Sequence, residues 1–405
     1  MSSVSDIARK LNRSWKEEVL SSGNFTKELK RLSMGDLGFD YPLFGGLPYG
    51  QLIVYSGTEH SGKTTAACLA MARYQQENPD KICIYVDAEN TLLTQAEHLQ
   101  RMTGISFEPE HFLRYDMTGK AAEEMFADIL ELEEADDIGM IIIDSAPALI
   151  SKADIDSEFL KDNGLRANIS KNLGRFIRHM IMYLPKRNNI LLIINQVRVD
   201  GVSFTGAKLF SEPCGYSLNY YPSMKVRFGT RTYTLGDKTD LSSSKGEGAD
   251  GFRLKFSITK SRLGPVNRGG GFLTFRLDSG LDVCHDMLEV AMKFGYIEHP
   301  NNITYILNNL ETGEYYLDEE GNPLKFAGKT KLIAYLNEHP DFRDEYFSML
   351  GRYVSESQSK VDLLDKDTMK EILDQEAQLS HEKTSDDEDD DIEVDSETGE
   401  VINEE

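Results

Sequence analysis

Cysteine is scarce and scattered. Cys68, Cys83, Cys214 and Cys284 lie far apart and no CxxC pair occurs. That spacing excludes a disulfide framework and a cysteine zinc site, and leaves free thiols in a reducing compartment. Long apolar runs are missing too. None reaches the roughly 18 residues a membrane-spanning helix needs, so no membrane partner is expected. The N-terminal stretch MSSVSDIARKLNRSW is polar and mixed in charge, without the apolar segment of a secretory signal. The expected location is cytoplasmic. Basic residues are in deficit: 44 Lys and Arg stand against 68 Asp and Glu, for a net charge of −24. Taken whole, that balance argues against a nucleic-acid partner. Half of it, however, resides in residues 386–405, which hold twelve acidic residues and no Lys or Arg. Local basic clusters therefore decide the matter, not the total.

What remains is ordinary globular composition, 40% hydrophobic and 28% charged over 405 residues, enough for two or three domains. Four regions are expected. Residues 1–40 carry an amphipathic stretch, Ile7–Leu20, suited to oligomerisation. Residues 41–285 alternate short β-rich runs with helical patterns. The strands are read at Gln51–Tyr55, Ile82–Asp87, Met140–Asp144, Ile190–Asn195, Ser223–Phe228, Leu254–Thr259 and Gly271–Leu277. Helices are read at Lys63–Gln76, Ala121–Glu134 and Asn168–Tyr183. The early strands are continuous apolar runs, as buried parallel strands are. The alternation predicts a doubly wound α/β sheet, with an antiparallel extension where the later connections shorten. Residues 286–380 read as a small α/β domain, with helices at Asp286–Phe294, Lys329–Glu338 and Phe342–Leu350, short strands near Thr304–Leu307 and Tyr315–Leu317, and a further helix within Ser355–Gln378. Residues 381–405 have too little apolar content and too much like charge to fold alone, and are expected to be a disordered acidic tail.

Gly57-Thr-Glu-His-Ser-Gly-Lys-Thr64 fits G-x-x-x-x-G-K-[ST], between a strand and a helix. Glycines let the backbone turn its N–H groups toward phosphates, Lys63 reaches the outer phosphate oxygens, and the Thr64 hydroxyl joins a magnesium shell. Gly57, Glu59, His60, Ser61, Gly62, Lys63, Thr64 and Thr65 are thus candidate ATP contacts. Asp144 ends an apolar strand and is the candidate partner of Thr64 at Mg²⁺. Glu89, just past the second strand, is the candidate to orient an attacking water. Asn195-Gln196 ends a further buried strand, where an amide can sense the outermost phosphate. Without the loop, Asp144 reads more readily as a turn residue and Glu89 as solvated loop charge, while the amide pair reads equally well as a turn signal.

These strand ends, in this order, resemble the RecA recombinase family, phage UvsX-like members included. Gly45-Gly-Leu-Pro-Tyr-Gly50 is similar to the family's GGLPxG, GTEHSGKTT at Gly57–Thr65 to its GPESSGKTT, and Asp87-Ala88-Glu89 to its DAE. Ile143-Asp144-Ser145 and Asn195-Gln196 match its magnesium and amide motifs. Phe294-Gly-Tyr296 and Lys329–Pro340 resemble its C-terminal domain, so the likeness covers residues 40–350.

The resemblance implies a RecA-like P-loop ATPase core with a mixed, mostly parallel twisted sheet. It makes Glu89 the catalytic carboxylate and Gln196 the residue that couples ATP to DNA binding. Asp154–Gly164 and Val197–Gly215 occupy the places of the family's two DNA loops. The second, long and glycine-punctuated, offers Arg198, Phe204, Lys208 and Phe210 for phosphate pairing and base stacking; the first is acidic and offers Lys161 and Arg166. Lys260 and Arg262 resemble paired lysines that reach a neighbouring subunit's ATP, with arginine as the second member here. The family's adenine-stacking ring has no clear counterpart; His98 is nearest, and a surface helix role suits it better.

The implied protein is a DNA-dependent ATPase. It forms helical filaments on single-stranded DNA and promotes pairing with duplex DNA and strand exchange. Its acidic tail tunes duplex access, recruits single-strand-binding protein or recombination mediators, or only confers solubility. Three alternatives share the nucleotide motifs: a ring-forming helicase or translocase, a small-molecule kinase, and a non-hydrolysing regulatory paralogue.

Overall fold

The structure, a computed structural model, describes residues 3–16, 20, 29–156, 165–202, 208–214, 216–236, 238–239, 248–263, 269–301, 303–356 and 361–374. The acidic tail and the candidates Lys161 and Phe204 lie outside the described residues. The chain divides into two units, Met1–Lys30 and Arg31–Glu405.

The first unit holds helix α1 (Val4–Trp15), started by a capping box in which Ser3 Oγ accepts from the Asp6 amide and the Asp6 carboxylate accepts from the Ser3 amide. Val4, Ile7, Leu11 and Trp15 are exposed along it.

The second unit begins at Arg31, and its first ten residues belong to the core. Leu32, Met34 and Phe39 are fully buried in the cluster that also holds Ile53 and Tyr55. The sequence had grouped them with the N-terminal segment. Five parallel strands follow: β1 (Leu52–Gly57), β2 (Ile82–Asp87), β3 (Phe112–Asp116), β4 (Ile138–Asp144) and β5 (Leu191–Gln196). The helices between them are α2 (Lys63–Glu77), α3 (Leu92–Thr103), α4 (Ala122–Leu132) and α5 (Leu165–Arg187). Residue alternation sorts each strand between two cores. Ile53, Tyr55, Tyr85, Met140, Ile142 and Leu192 face α2. Leu52, Val54, Ile84, Ile141 and Leu191 face α4 and α5, against Phe126, Phe176 and Ile177. Burial on both faces is why these runs read as unbroken apolar segments.

Beyond β5 come a hairpin, β6 (Arg198–Val202) and β7 (Lys208–Ser211), and then β8 (Met224–Phe228), β9 (Thr232–Leu235), β10 (Gly251–Ser261) and β11 (Gly270–Arg276). The large sheet runs in the order β9-β10-β8-β1-β5-β4-β2-β3, with β11 also on β10. β8 is parallel to β1 and antiparallel to β10, so the expected antiparallel extension starts at β10. The edge strand β3 is an element the sequence reading lacked: in FLRYD only Phe112 is buried, and the run sits between turns.

The C-terminal module has helices α6 (Val283–Lys293), α7 (Lys329–Glu338) and α8 (Pro340–Glu356) and a three-stranded sheet, β12 (Ile297–Asn301), β13 (Thr304–Leu307) and β14 (Lys325–Ala327). Tyr315 and Leu317 make only isolated bridges; of the helix expected within Ser355–Gln378, residues 366–374 are helical among the described residues, and α8 takes residues up to Glu356. A buried ion cluster ties the module to the sheet. Arg253 on β10 donates to both Glu289 oxygens (3.1 and 2.8 Å) and to Asp286 (3.5 Å) on α6, and Nε donates to Thr274 Oγ1 on β11 at 2.9 Å. Removing one partner strands the others without solvent. Arg253→Met is expected to lower stability by about 3–5 kcal/mol, read from the midpoint and slope of urea unfolding; a loss below about 1 kcal/mol would count against this role.

Candidate functional site

The strand pairings bring the carboxyl ends of β1, β5, β4 and β2 to one edge of the sheet, with β4 and β2 ending two residues short of β1 and β5. Gly57 pairs with Gln196, Ile143 with Ile193, and Asp87 with Asp144. β1 is followed by α2 on one face of the sheet and β4 by α5 on the other, so the Gly57–Thr64 loop lies where a crevice opens between oppositely directed crossovers. Two glycines shape the loop. A Cβ on Gly57 would meet the Phe228 carbonyl oxygen at 2.6 Å, and one on Gly62 would meet Leu254 Cδ2 at 2.3 Å. Gly62 also adopts φ 87°, the left-handed region, at the start of α2. Any larger residue would fill the cradle or push it off the sheet.

Lys63 is buried, and its ammonium donates to Thr58 O (2.7 Å) and Ser61 Oγ (3.3 Å). Burial pulls its pKa down to about 8, against the opposing charges of Asp144 and Glu89. Asp144 Oδ2 accepts from Thr64 Oγ1 at 2.7 Å and from Tyr85 Oη at 2.6 Å. Burial raises the Asp144 pKa to about 6 despite those two donors. Thr64 and Asp144 together present hard oxygen donors beside a phosphate-sized cradle, a set that fits Mg²⁺ held jointly with phosphate. Of the other loop candidates, Ser61 is buried, Thr65 half-buried, and Glu59 and His60 exposed.

A second cluster adjoins the first. Glu89 Oε1 accepts from Ser145 Oγ and from Gln196 Nε2, both at 2.5 Å, and Gln196 Nε2 lies 3.5 Å from Ser145 Oγ. Three strand ends thus converge on one carboxylate oxygen. Ser145, quoted in the sequence only as part of a motif, is the link between them. Gln196 is one peptide from the hairpin that begins at Arg198. Arg198 is exposed, and Lys208 and Phe210 belong to the returning strand, paired with Val202 and Val199. Arg166 lies in the first turn of α5.

The returning end of that hairpin is anchored by residues the sequence reading missed. Glu212, buried, accepts from Lys225 Nζ (2.8 Å) and Arg227 Nη1 (3.2 Å) on β8, and Asn195 Nδ2 donates to Pro213 O at 3.3 Å. Arg227 pairs in register with Ser56, one residue before the loop. A buried Lys-x-Arg on a strand is the signal that was available, since such charges require a partner.

Lys260 and Arg262 are not at this edge. Lys260 pairs with Lys225, which pairs with Val54, whereas Gly57 pairs with Phe228. At roughly 3.3 Å per residue the Lys260 backbone sits about 10 Å back along the strand. Its ammonium donates to Asn219 O (2.6 Å) and Tyr220 O (2.5 Å), and Arg262 donates to the same Tyr220 carbonyl. Both cations lie over the exposed Tyr220 ring, at 5.8 and 5.5 Å. Burial lowers the Lys260 pKa to about 8, with Arg262 and Lys225 adding to the shift. His98 is exposed on α3, with Nδ1 3.4 Å from Arg101, and nothing in its contacts marks a nucleotide role. Among the described residues, no helix is long and apolar enough to cross a membrane.

The Asp144 shift has a sign that can be checked. A carboxyl with a higher pKa folded than unfolded binds its proton more tightly when folded. Stability then falls as pH rises from about 4 to about 6, and the full deficit persists above 6. In metal-free buffer, Asp144→Asn is expected to stabilise the protein by about 2–3 kcal/mol at pH 7.5, with no gain at pH 4, by denaturant unfolding at both pH values.

The family model for the RecA N-terminal domain matches residues 3–265. The chain is similar to Protein RecA of Thermus aquaticus, 29% identical over 335 residues that cover 82% of this chain and 87% of the relative. It is similar to Protein RecA of Colwellia psychrerythraea at 28% over 323 residues, covering 78% and 82%. Protein RecA of Rickettsia canadensis is 25% identical over 346 residues, covering 85% and 89%. A family match over nearly two thirds of the chain, on a sheet whose strand ends at one edge carry that family's motifs, makes this chain a member of the RecA family, a RecA-type recombinase.

Proposed function

We propose that this recombinase is a DNA-dependent ATPase that polymerises as a helical filament on single-stranded DNA and promotes homologous pairing and strand exchange with duplex DNA. The observation that carries the reading is the joined position of Gln196. It holds Glu89 at 2.5 Å on the nucleotide edge and leads directly into the 198–211 hairpin. A change at the outermost phosphate is thereby felt at the stem of a loop bearing Arg198, Lys208 and Phe210.

The roles follow from chemistry. Gly57–Thr65 cradle the phosphates, and Lys63 neutralises their outer oxygens. Thr64 and Asp144 hold Mg²⁺, which when bound neutralises charge on the β- and γ-phosphates. Glu89 orients the attacking water, and Gln196 reports whether the outermost phosphate is present. Lys260 lies about 10 Å, and Arg262 farther still, from their own loop's level along the strand, which supports a role at a neighbouring protomer's phosphates. The filament is the assembly that completes such a site. Exposed α1 and the acidic tail are the segments proposed to serve assembly and DNA access, and the cytoplasm is the proposed location. The domain division proposed is an ATPase core to residue 285, a C-terminal module from 286 and a tail from 381.

Two measurements on one preparation test this. ATP turnover is expected to rise at least tenfold on adding single-stranded DNA, and electron microscopy with ATPγS and DNA is expected to show filaments. Closed rings would replace the reading with a ring-forming motor, and turnover indifferent to DNA would remove the DNA role. Glu89→Gln is expected to reduce turnover by a factor of about 10² or more while filaments still form; unchanged turnover would overturn the assignment of Glu89.

A further inference from the structure

We propose that Tyr85 is a positioning residue for the magnesium carboxylate, fixing which oxygen of Asp144 faces the metal. The inference rests on the reading of Asp144 as a magnesium-shell residue and goes beyond it.

Tyr85 is buried within β2, two residues before Asp87, on the strand next to the one that ends in Asp144. Strand alternation points its ring to the α2 face, into the cluster that holds Ala67, Cys68 and Met71. The ring is also near Phe112, with centroids 6.4 Å apart. A phenylalanine would satisfy all of that packing. The hydroxyl is what a phenylalanine lacks, and it goes to Asp144 Oδ2 at 2.6 Å. The same oxygen accepts from Thr64 Oγ1 at 2.7 Å.

A carboxylate oxygen offers roughly two acceptor directions. Two protein donors, one from β2 and one from the first turn of α2, therefore occupy those of Oδ2. The carboxylate is pinned from both sides, and Oδ1 is the oxygen whose acceptor directions serve a metal-bound water. Thr64, by donating its proton to Asp144, keeps its own oxygen lone pairs for the metal. Without Tyr85 the carboxylate is held by Thr64 alone, the residue that has to share itself with the ion. Such orienting partners commonly contribute a factor of about 10–100 in metal affinity.

A second buried tyrosine in the same cluster supplies the control. Tyr55 on β1 is fully buried, and its hydroxyl has no hydrogen-bond partner among the described residues. Tyr55→Phe therefore removes an equivalent atom that orients nothing.

The test uses the full chain with ATPγS, and Mn²⁺ as the probe ion, its free concentration followed by electron paramagnetic resonance. Metal-free ATPγS affinity in EDTA and the melting temperature are measured on the same variants. Tyr85→Phe is expected to weaken Mn²⁺ binding about tenfold, with metal-free ATPγS affinity and melting temperature changed no more than in Tyr55→Phe. Asp144→Asn is expected to weaken Mn²⁺ binding further. If Tyr85→Phe binds Mn²⁺ like the unsubstituted protein while Asp144→Asn does not, the positioning role is overturned and the magnesium reading stands. If Asp144→Asn also binds normally, the magnesium reading itself falls. If Tyr85→Phe weakens metal-free ATPγS binding to the same degree, the hydroxyl acts through general packing and the proposal is overturned.

Discussion

Register is the constraint on which the rest of this molecule depends. In a parallel sheet each strand leaves its last residue wherever its pairing puts it, and a slip of one residue turns every side chain to the opposite face. Here Gly57 stands opposite Gln196, and Asp87 opposite Asp144. The phosphate loop and the amide strand end therefore share one ledge, with the acidic strand end a two-residue step below it. The pairing is enforced from beneath, because each strand alternates residues between two packed cores. Core packing and site geometry are thus a single requirement.

The ledge carries two hydrogen-bonded clusters that meet at one peptide. Asp144 belongs to the first, with Thr64 and Tyr85, and the following Ser145 belongs to the second, with Glu89 and Gln196. Each cluster draws donors from separate elements onto one carboxylate oxygen. Asp144 and Lys63 are buried, which accounts for the raised Asp144 and the lowered Lys63 pKa. The Glu212 ion cluster performs a related service at the returning end of the hairpin. Both ends of the 198–211 segment are consequently fastened to the strands that flank the loop.

Much of this was legible in the chain because its signals are local. The Gly57–Thr64 pattern, the apolar strands that end in Asp144 and Gln196, and the helix beginning at Lys63 each announce themselves within ten residues. The edge strand Phe112–Asp116 did not, since it is five residues long and only Phe112 is buried, so it shows no period. Residues 31–40 read as the end of the N-terminal segment, yet Leu32, Met34 and Phe39 are buried; three anchors among turn residues show no period. Tyr85 was visible as a strand residue, but its role depends on Asp144, 59 positions away. Glu212 was in the same position, since Lys225 and Arg227 become its partners only when β8 pairs beside β1. Contacts across the fold are read from topology, and the sequence carries topology only indirectly.

The cations at Lys260 and Arg262 have a consequence for how copies of this chain meet. In the single protomer they are satisfied internally, by the carbonyls of Asn219 and Tyr220 and by the Tyr220 ring. They are thus parked, and turning outward means exchanging those acceptors for others. Water or a neutral surface offers too little in return; a multiply charged anion offers enough. On the filament reading, a passing copy with an empty loop leaves the cations where they are, while a copy carrying triphosphate draws them across. Growth then discriminates between loaded and unloaded partners at the moment of contact, by a chemical exchange of ligands and before any hydrolysis takes place.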